Sequence, residues 1–292
     1  MGDSERALSR GASAGDLARV RRGSYLDSVA WRGLSLEDQH FIKMIATAAA
    51  AVRSPVFSHE SAAVAWRFPI VEGLPSRTQI TVPPGSGLRS DRLVVRHEAP
   101  LDCLDVIDAE SIRLTSPSRT LVDFMATRSF LSAVCGAEGA LRSGLVVPEH
   151  VEEAIARRRP FRGSRRAEAV ARFASGLSAS PNESLCRVRF HQLGFPQPTQ
   201  QKEYPGLRGG HLEVDFYFDE FDVICETDGR VKYEDERYLA GRTPQQALWE
   251  EKEREDHLRS MCRDFVRLTW NDAWHRTGLI AKLARAGIPR RP

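Results

Sequence analysis

The chain has 292 residues, 41% hydrophobic and 28% charged, with 42 basic against 39 acidic side chains and a formal charge of +3. That length suits two domains, or one domain with a smaller module, and the composition excludes a disordered or collagen-like chain. The charge is too mild to define a partner by itself, so its distribution matters more.

Cys103, Cys135, Cys186, Cys225 and Cys262 form no CxxC pair, and five is a poor number for a disulfide framework. Reduced thiols in a cytoplasm are expected, with no structural zinc. The opening MGDSERALSRGASAGDLARV lacks the apolar core of a signal peptide. No apolar run reaches the roughly 18 residues of a membrane span.

In chain order, Met1 to Leu17 is polar and rich in small residues, and is expected to be loose. LARVRRGSYLD alternates Arg19, Arg21 and Arg22 with apolar or small residues, the pattern of a short basic strand or hairpin. Ser35 caps LSLEDQHFIKMIATAAAAV, with Asp38 three residues on as in a capping box. Leu36, Phe41, Met44 and Ile45 keep close to helical spacing. Ser58 starts a shorter helix, HESAAVAWRFPIV, ended by Pro69. TQITVP and RLVVRHEA alternate as strands on either side of the turn-rich PPGSG. Ser116 or Ser118 begins a helix through RTLVDFMAT, and FLSAVCGAEGALRSG forms another that Gly144 ends.

ARRRPFRGSRRA then concentrates arginines, and Pro160 and Gly163 break it. An Arg-rich linker over residues 156–175 is expected there. It is either a solvated connector or an arm whose Arg157, Arg158, Arg162 and Arg165 touch nucleic-acid phosphates. The remainder reads α-β-β-β-α-β-α. Its parts are a helix from Ser180 to Gly194, a strand near TQQKEY, the strands LEVDFYF and DVICETD, the helix PQQALWEEKEREDHLRSMC, the strand DFVRLTW and a helix capped by Asn271.

Within HLEVDFYFDEFDVICETDGRVKY, alternation puts Val214, Phe216 and Phe218 on one strand face and Asp215 on the other. Glu226 and Asp228, two apart, share a face. A four-residue DEFD connection sets Asp215 directly across from Glu226. Like charges so placed repel, and Mg²⁺ or Mn²⁺ can offset this while binding substrate phosphate. Glu183, early in the preceding helix, is a further candidate ligand, although an acid there also suits a helix N-terminus. Lys252 and Arg254 on the long helix are candidates for orienting water or holding phosphate, as are Lys232 and Tyr233 just beyond the hairpin. Lys252 also suits a solvated face paired with Asp256. The histidines are isolated, and His211 and His257 read as surface or packing residues.

SPNE, VDFYF, VICETDG, EEKEREDHLR and FVRLTW, in that order, carry a resemblance to the DUF559 branch of the PD-(D/E)XK nuclease superfamily, related to very-short-patch repair endonucleases. The resemblance runs from about Ser180 to Trp274 and implies a restriction-endonuclease-like fold. It implies Mg²⁺ held by Asp215 and Glu226, with Glu183 as the helix-borne acid. Asp228 stands where the family usually has lysine, and Lys252 is the candidate replacement. LARVRRGSYLD and ESIRLTSPSRTLVDFMA resemble actinobacterial proteins with an AbiEi-type antitoxin region, in which RRGSY matches a winged-helix wing.

The expected fold is α/β of the α+β kind. Residues 1–34 form a basic segment with a reduced winged-helix element, 35–155 an AbiEi-like region, 156–175 the linker and 176–292 the nuclease-like domain. The expected function is a Mg²⁺- or Mn²⁺-dependent endonuclease acting on DNA, with Asp215, Glu226, Asp228 and Lys252 in catalysis. The alternative is a non-catalytic DNA-binding or toxin–antitoxin regulatory protein on the same fold, with a protein partner of the defence type. Neither reading involves a membrane.

Overall fold

A computed structural model describes residues 2–109, 111–207, 209–228 and 243–291. The chain is mixed α/β and divides into two compact units, Met1–Ala174 and Ser175–Pro292. No helix among the described residues is long and apolar enough to cross a membrane.

The first unit opens with helix α1 (Gly2–Ala14), where a loose segment was expected. Ala, Leu and Arg are good helix formers and outweigh the scattered Ser and Gly. Gly11 also has a packing role: a Cβ there would meet Leu17 Cδ1 at 3.0 Å. Leu17 starts β1 (Leu17–Arg21), which pairs antiparallel with β2 (Ser24–Asp27) to make the expected basic hairpin. Asp27 caps α2 (Ser28–Gly33), and Ser35 caps α3 (Leu36–Ala49).

Next come β3 (Val56–Phe57), α4 (His59–Ala65), β4 (Thr78–Val82), β5 (Val94–Glu98), β6 (Val106–Ala109) and β7 (Ile112–Thr115). The five strands form one sheet in the order β5-β4-β3-β7-β6. Pairs β3/β7 and β4/β5 are parallel, while β3/β4 and β6/β7 are antiparallel. Met44, Phe57, Ala62, Ile80, Val82, Val94, Ile112 and Leu114 make its core. Helix α4 stops at Ala65, short of Pro69, because Arg67 turns out of the helix at φ 58°. Ser116 caps α5 (Pro117–Thr127) and Ser129 caps α6 (Phe130–Arg142).

The unit closes with α7 (Pro148–Arg158) and α8 (Ser164–Phe173). These replace the expected linker. Val151, Ala154 and Ile155 of α7 and Ala167 and Val170 of α8 are buried, and both helices pack on α5.

The second unit is one four-stranded sheet, order β11-β10-β9-β8. It is built from α9 (Pro181–Gln192), β8 (Thr199–Pro205), β9 (His211–Phe218), β10 (Val223–Asp228), α10 (Pro244–Arg259), β11 (Asp264–Thr269), α11 (Trp270–His275) and α12 (Thr277–Arg285). Strands β10 and β11 are parallel, and β8, β9 and β10 are successively antiparallel. Phe190 of α9 meets Phe216 and Phe218 edge-on, both at 5.3 Å. Tyr217 and Ile224 have the opposite parity on their strands. With Leu258 of α10 they belong to another cluster, which includes Tyr204 and Phe265.

Candidate active site on the carboxylate hairpin

Asp219–Phe221 makes a single 3₁₀ turn, and Asp222 at φ 50° completes a four-residue connection between β9 and β10. The register pairs Val223 with Phe218, Ile224 with Tyr217 and Cys225 with Phe216. Its next step sets Glu226 opposite Asp215, and there the paired register ends. Instead, Asp215 Oδ2 accepts from the Thr227 backbone N–H at 2.7 Å and from the Thr227 hydroxyl at 2.8 Å. A side chain thus takes up an N–H at the point where the strands part.

Glu226 is buried, and both its oxygens are engaged. Arg254 donates to them from Nη2 at 2.6 Å and Nη1 at 3.0 Å, the two-pronged geometry that guanidinium and carboxylate share. Nη2 of Arg254 also donates to the Glu213 carbonyl at 2.9 Å. Arg267 Nη2 stands 3.9 Å from Glu226 and bonds Glu251 at 2.6 Å, while its Nε lies 2.8 Å from Glu255. Acid and base therefore alternate across β10, α10 and β11. Burial pushes the Glu226 carboxyl above its usual range, Arg254 opposes the shift and Asp215 adds to it. Burial pulls Arg254 down, but its bonds to Glu226 outweigh that and hold it above its usual value.

Asp215 and Glu226 are thus brought together, and Arg254 joins them directly. Asp228 is half-buried at the end of β10, and its carbonyl accepts from Asn182 Nδ2 at 3.3 Å. Among the described residues no group of three or more His, Cys, Asp or Glu side chains is placed to hold a metal. Glu183 caps its own helix: Oε2 accepts from the Ala179 N–H at 2.7 Å and Oε1 from the Ser180 hydroxyl at 2.8 Å.

Lys252 is exposed. Buried Leu258 sets the phase of α10, which turns Glu251, Arg254 and Glu255 inward at spacings of seven, four and three. Lys252, two residues from Arg254, falls on the opposite side. Lys232 and Tyr233 lie outside the described residues.

Two of the four arginines expected to touch phosphate, Arg157 and Arg158, are engaged in ion pairs within the first unit. Arg157 bonds Asp105 at 3.2 Å, Arg158 pairs with Asp123, and Arg159 pairs with Glu168. These arginines tie α7 and α8 into the first unit. Arg162 and Arg165 remain exposed.

Arg267 and Thr227 fall within FVRLTW and VICETDG, but sequence reading gave neither a role at the site. Nor did it give a role to Trp270 at the end of FVRLTW, which is 39% exposed and stacked on Trp274 at 5.6 Å, just past the Asp228–Thr269 pair. In the first unit it missed a buried group containing His59, His97, Arg119 and Asp123. The signal for the last two was their i, i+4 spacing in SRTLVD.

No family model matches the chain, and no curated protein matches it. Among solved structures it is similar to the crystal structure of the Rv2827c protein from Mycobacterium tuberculosis, at 17% identity and a TM-score of 0.36 over 70% of this chain and 77% of that one. A likeness at that level carries no weight for fold or function.

Proposed function

We propose that the second unit is a nuclease-type domain of the PD-(D/E)XK kind, DUF559 branch, that hydrolyses DNA phosphodiesters with Mg²⁺ or Mn²⁺. The observation that carries this reading is the placement of Asp215 and Glu226 on one face where β9 and β10 part. Two carboxylate side chains suit Mg²⁺, which fills its other positions with water and substrate phosphate. Both Glu226 oxygens are held by Arg254, so loading requires Arg254 to turn away, and the freed guanidinium is then available to a phosphate. When bound, the ion would activate water and offset charge on the phosphodiester. Thr227 keeps Asp215 oriented throughout. The α1–hairpin order adds a second DNA-facing element: α1 exposes Arg6, Ser9, Arg10 and Ser13 at helical spacing, ahead of Arg19 and Arg22 in the hairpin.

The bidentate Arg254–Glu226 pair favours a second reading, in which Arg254 permanently takes the cation's place and the domain only binds DNA. The test is cleavage of a mixed DNA panel with Mg²⁺ or Mn²⁺, beside the Asp215→Ala/Glu226→Ala double variant. Cleavage by the native chain alone is the expected result. Salt-dependent DNA retention with no cleavage selects the non-catalytic reading, and neither activity removes both.

A further inference from the structure

The ends of β10 and β11 carry aromatic surface that the proposed chemistry does not use. The two strands run parallel and stop together, with Asp228 opposite Thr269. Trp270 is the next residue, so its Cα falls within roughly 9 Å of that of Asp228, one strand spacing and one Cα step away. Its position is fixed from below. Thr269 and Asp272 form a capping box at the start of α11: the Thr269 N–H donates to Asp272 Oδ2 at 2.8 Å and the Asp272 N–H to Thr269 Oγ1 at 3.2 Å. Lys282 Nζ donates to the same Asp272 oxygen at 2.7 Å. One turn on, the Trp274 ring stacks on that of Trp270, with centroids 5.6 Å apart and planes 18° apart. Trp270 nevertheless stays 39% exposed. An exposed indole held in this way has little side-chain freedom left to lose when a second flat group stacks on it.

A second observation at the same end of the sheet points to a ligand with N–H groups. Asn182, in the first turn of α9, is 8% exposed, and its Nδ2 donates to the Asp228 carbonyl at 3.3 Å. That bond fixes the amide, because the reversed orientation sets two oxygens against each other. Asn182 Oδ1 then has no partner among the described residues, and an acceptor left without a donor in a protein interior is costly. Helix α9 packs on α11, and Arg189 Nε ties the two by donating to the Ala273 carbonyl at 3.1 Å. Asn182 is thus bonded to Asp228, Asp228 is paired with Thr269, and Trp270 follows. Glu226 lies two residues before Asp228 on β10 and shares its face. The carboxyl ends of parallel strands are where open α/β sheets take their ligands.

We propose that Trp270 and Asn182 form a subsite for an unpaired nucleobase, which makes single-stranded DNA the preferred substrate of the second unit. This rests on the nuclease reading of that unit. The base stacks on Trp270 and donates an N–H to Asn182 Oδ1, and a neighbouring phosphodiester lies at Glu226 and the Arg254 that metal loading frees. Every base has a face to stack and an N–H on its pairing edge, so the subsite separates unpaired from paired bases and does not read sequence. In a duplex the same N–H groups are engaged with the opposite strand, and neighbouring bases cover the faces.

The experiment is binding by the full chain, in EDTA, of a labelled mixed-sequence DNA single strand, the matching blunt duplex and an abasic strand of the same length, read by fluorescence anisotropy. Trp270→Ala and Trp270→Phe are run alongside. The Ala variant should bind the single strand about tenfold more weakly, having lost one base–aromatic stack, and the Phe variant should keep most of the affinity. The duplex and the abasic strand carry the charges without a free base face, so each should bind the native chain and the Ala variant equally. Trp270 is exposed, so its truncation leaves the core in place, and unchanged urea unfolding by circular dichroism would establish this. Should the Ala variant unfold, Trp270→Leu, apolar but without a stacking face, takes its place. No binding of the single strand, no loss of it in the variant, or an equal loss on every probe overturns the proposal. Metal-dependent cleavage with no Trp270 dependence sinks the subsite alone. A Trp270-dependent hold on the single strand, with no cleavage when Mg²⁺ or Mn²⁺ is added, supports the subsite and sinks the hydrolytic reading instead.

Discussion

Arg254 and Glu226 form a buried, two-pronged ion pair where the sequence suggests a metal ligand. Removing Arg254 leaves a buried carboxylate without its partner, and Arg254→Ala should lower stability by about 3 kcal/mol at neutral pH. Trp270 and Trp274 lie in the same unit, so their fluorescence in urea can report it. The pH dependence has a definite sign. The folded pKa of Glu226 is raised, so the folded chain takes up this proton more readily than the unfolded one, and the ionised buried group opposes folding as pH rises through that range. Without Arg254 the folded pKa rises further. The deficit of the variant should therefore be largest near neutrality and shrink as pH falls toward about 4, where the unfolded chain begins to be protonated. A pH-independent deficit would mean that Arg254 acts through packing alone. The Asp215–Glu226 opposition was legible from four connecting residues and strict alternation. The partner of Glu226 was not: both Lys252 and Arg254 offer a positive charge, and only the phase set by buried Leu258 chooses between them.

Among the elements, α9 answers what Glu183 does. Ser180 Oγ accepts from the Glu183 N–H at 3.2 Å, and the Glu183 carboxylate accepts from the Ala179 N–H and the Ser180 hydroxyl. These bonds take up donors that a helix start leaves free. Ser180→Ala should cost about 1 kcal/mol. Glu183→Ala should cost about as much and leave divalent-ion affinity, measured by calorimetry, unchanged. A loss of ion binding in Glu183→Ala without loss of stability would instead make Glu183 a ligand. The resemblance and the capping pattern both singled out this residue from sequence; local spacing alone could not rank them, because a helix-borne acid suits either role. Helix α1 was illegible for another reason. Its Ser and Gly residues resemble those of a loose terminus, and the contact that gives Gly11 a purpose comes from Leu17 in the next element.

For the whole molecule, the question is where the first unit ends. Six arginines between 157 and 166 read as a solvated arm because the partners of several lie far away in sequence: Asp102 and Asp105 for Arg157, Asp123 for Arg158, and the Ala126 carbonyl for Arg166. Sequence spacing carries no trace of such pairings. Gly163 adds a further constraint. It holds φ 87°, and a Cβ there would come within 2.4 Å of the Ala126 carbonyl oxygen, so the turn between α7 and α8 is seated directly on α5. A unit has its own core when its helices bury their apolar faces within it, and Ala167 and Val170 of α8 are fully buried in the first unit. A chain of residues 1–174 should therefore unfold cooperatively when expressed alone. A chain cut at 160 loses α8 and exposes the surfaces of α5, α6 and α7 that it covers. It should melt several degrees lower, since about 1 kcal/mol shifts the midpoint of a domain this size by roughly 2–4 °C, or it should aggregate. Equal melting of the two fragments would return α8 to the role of a connector.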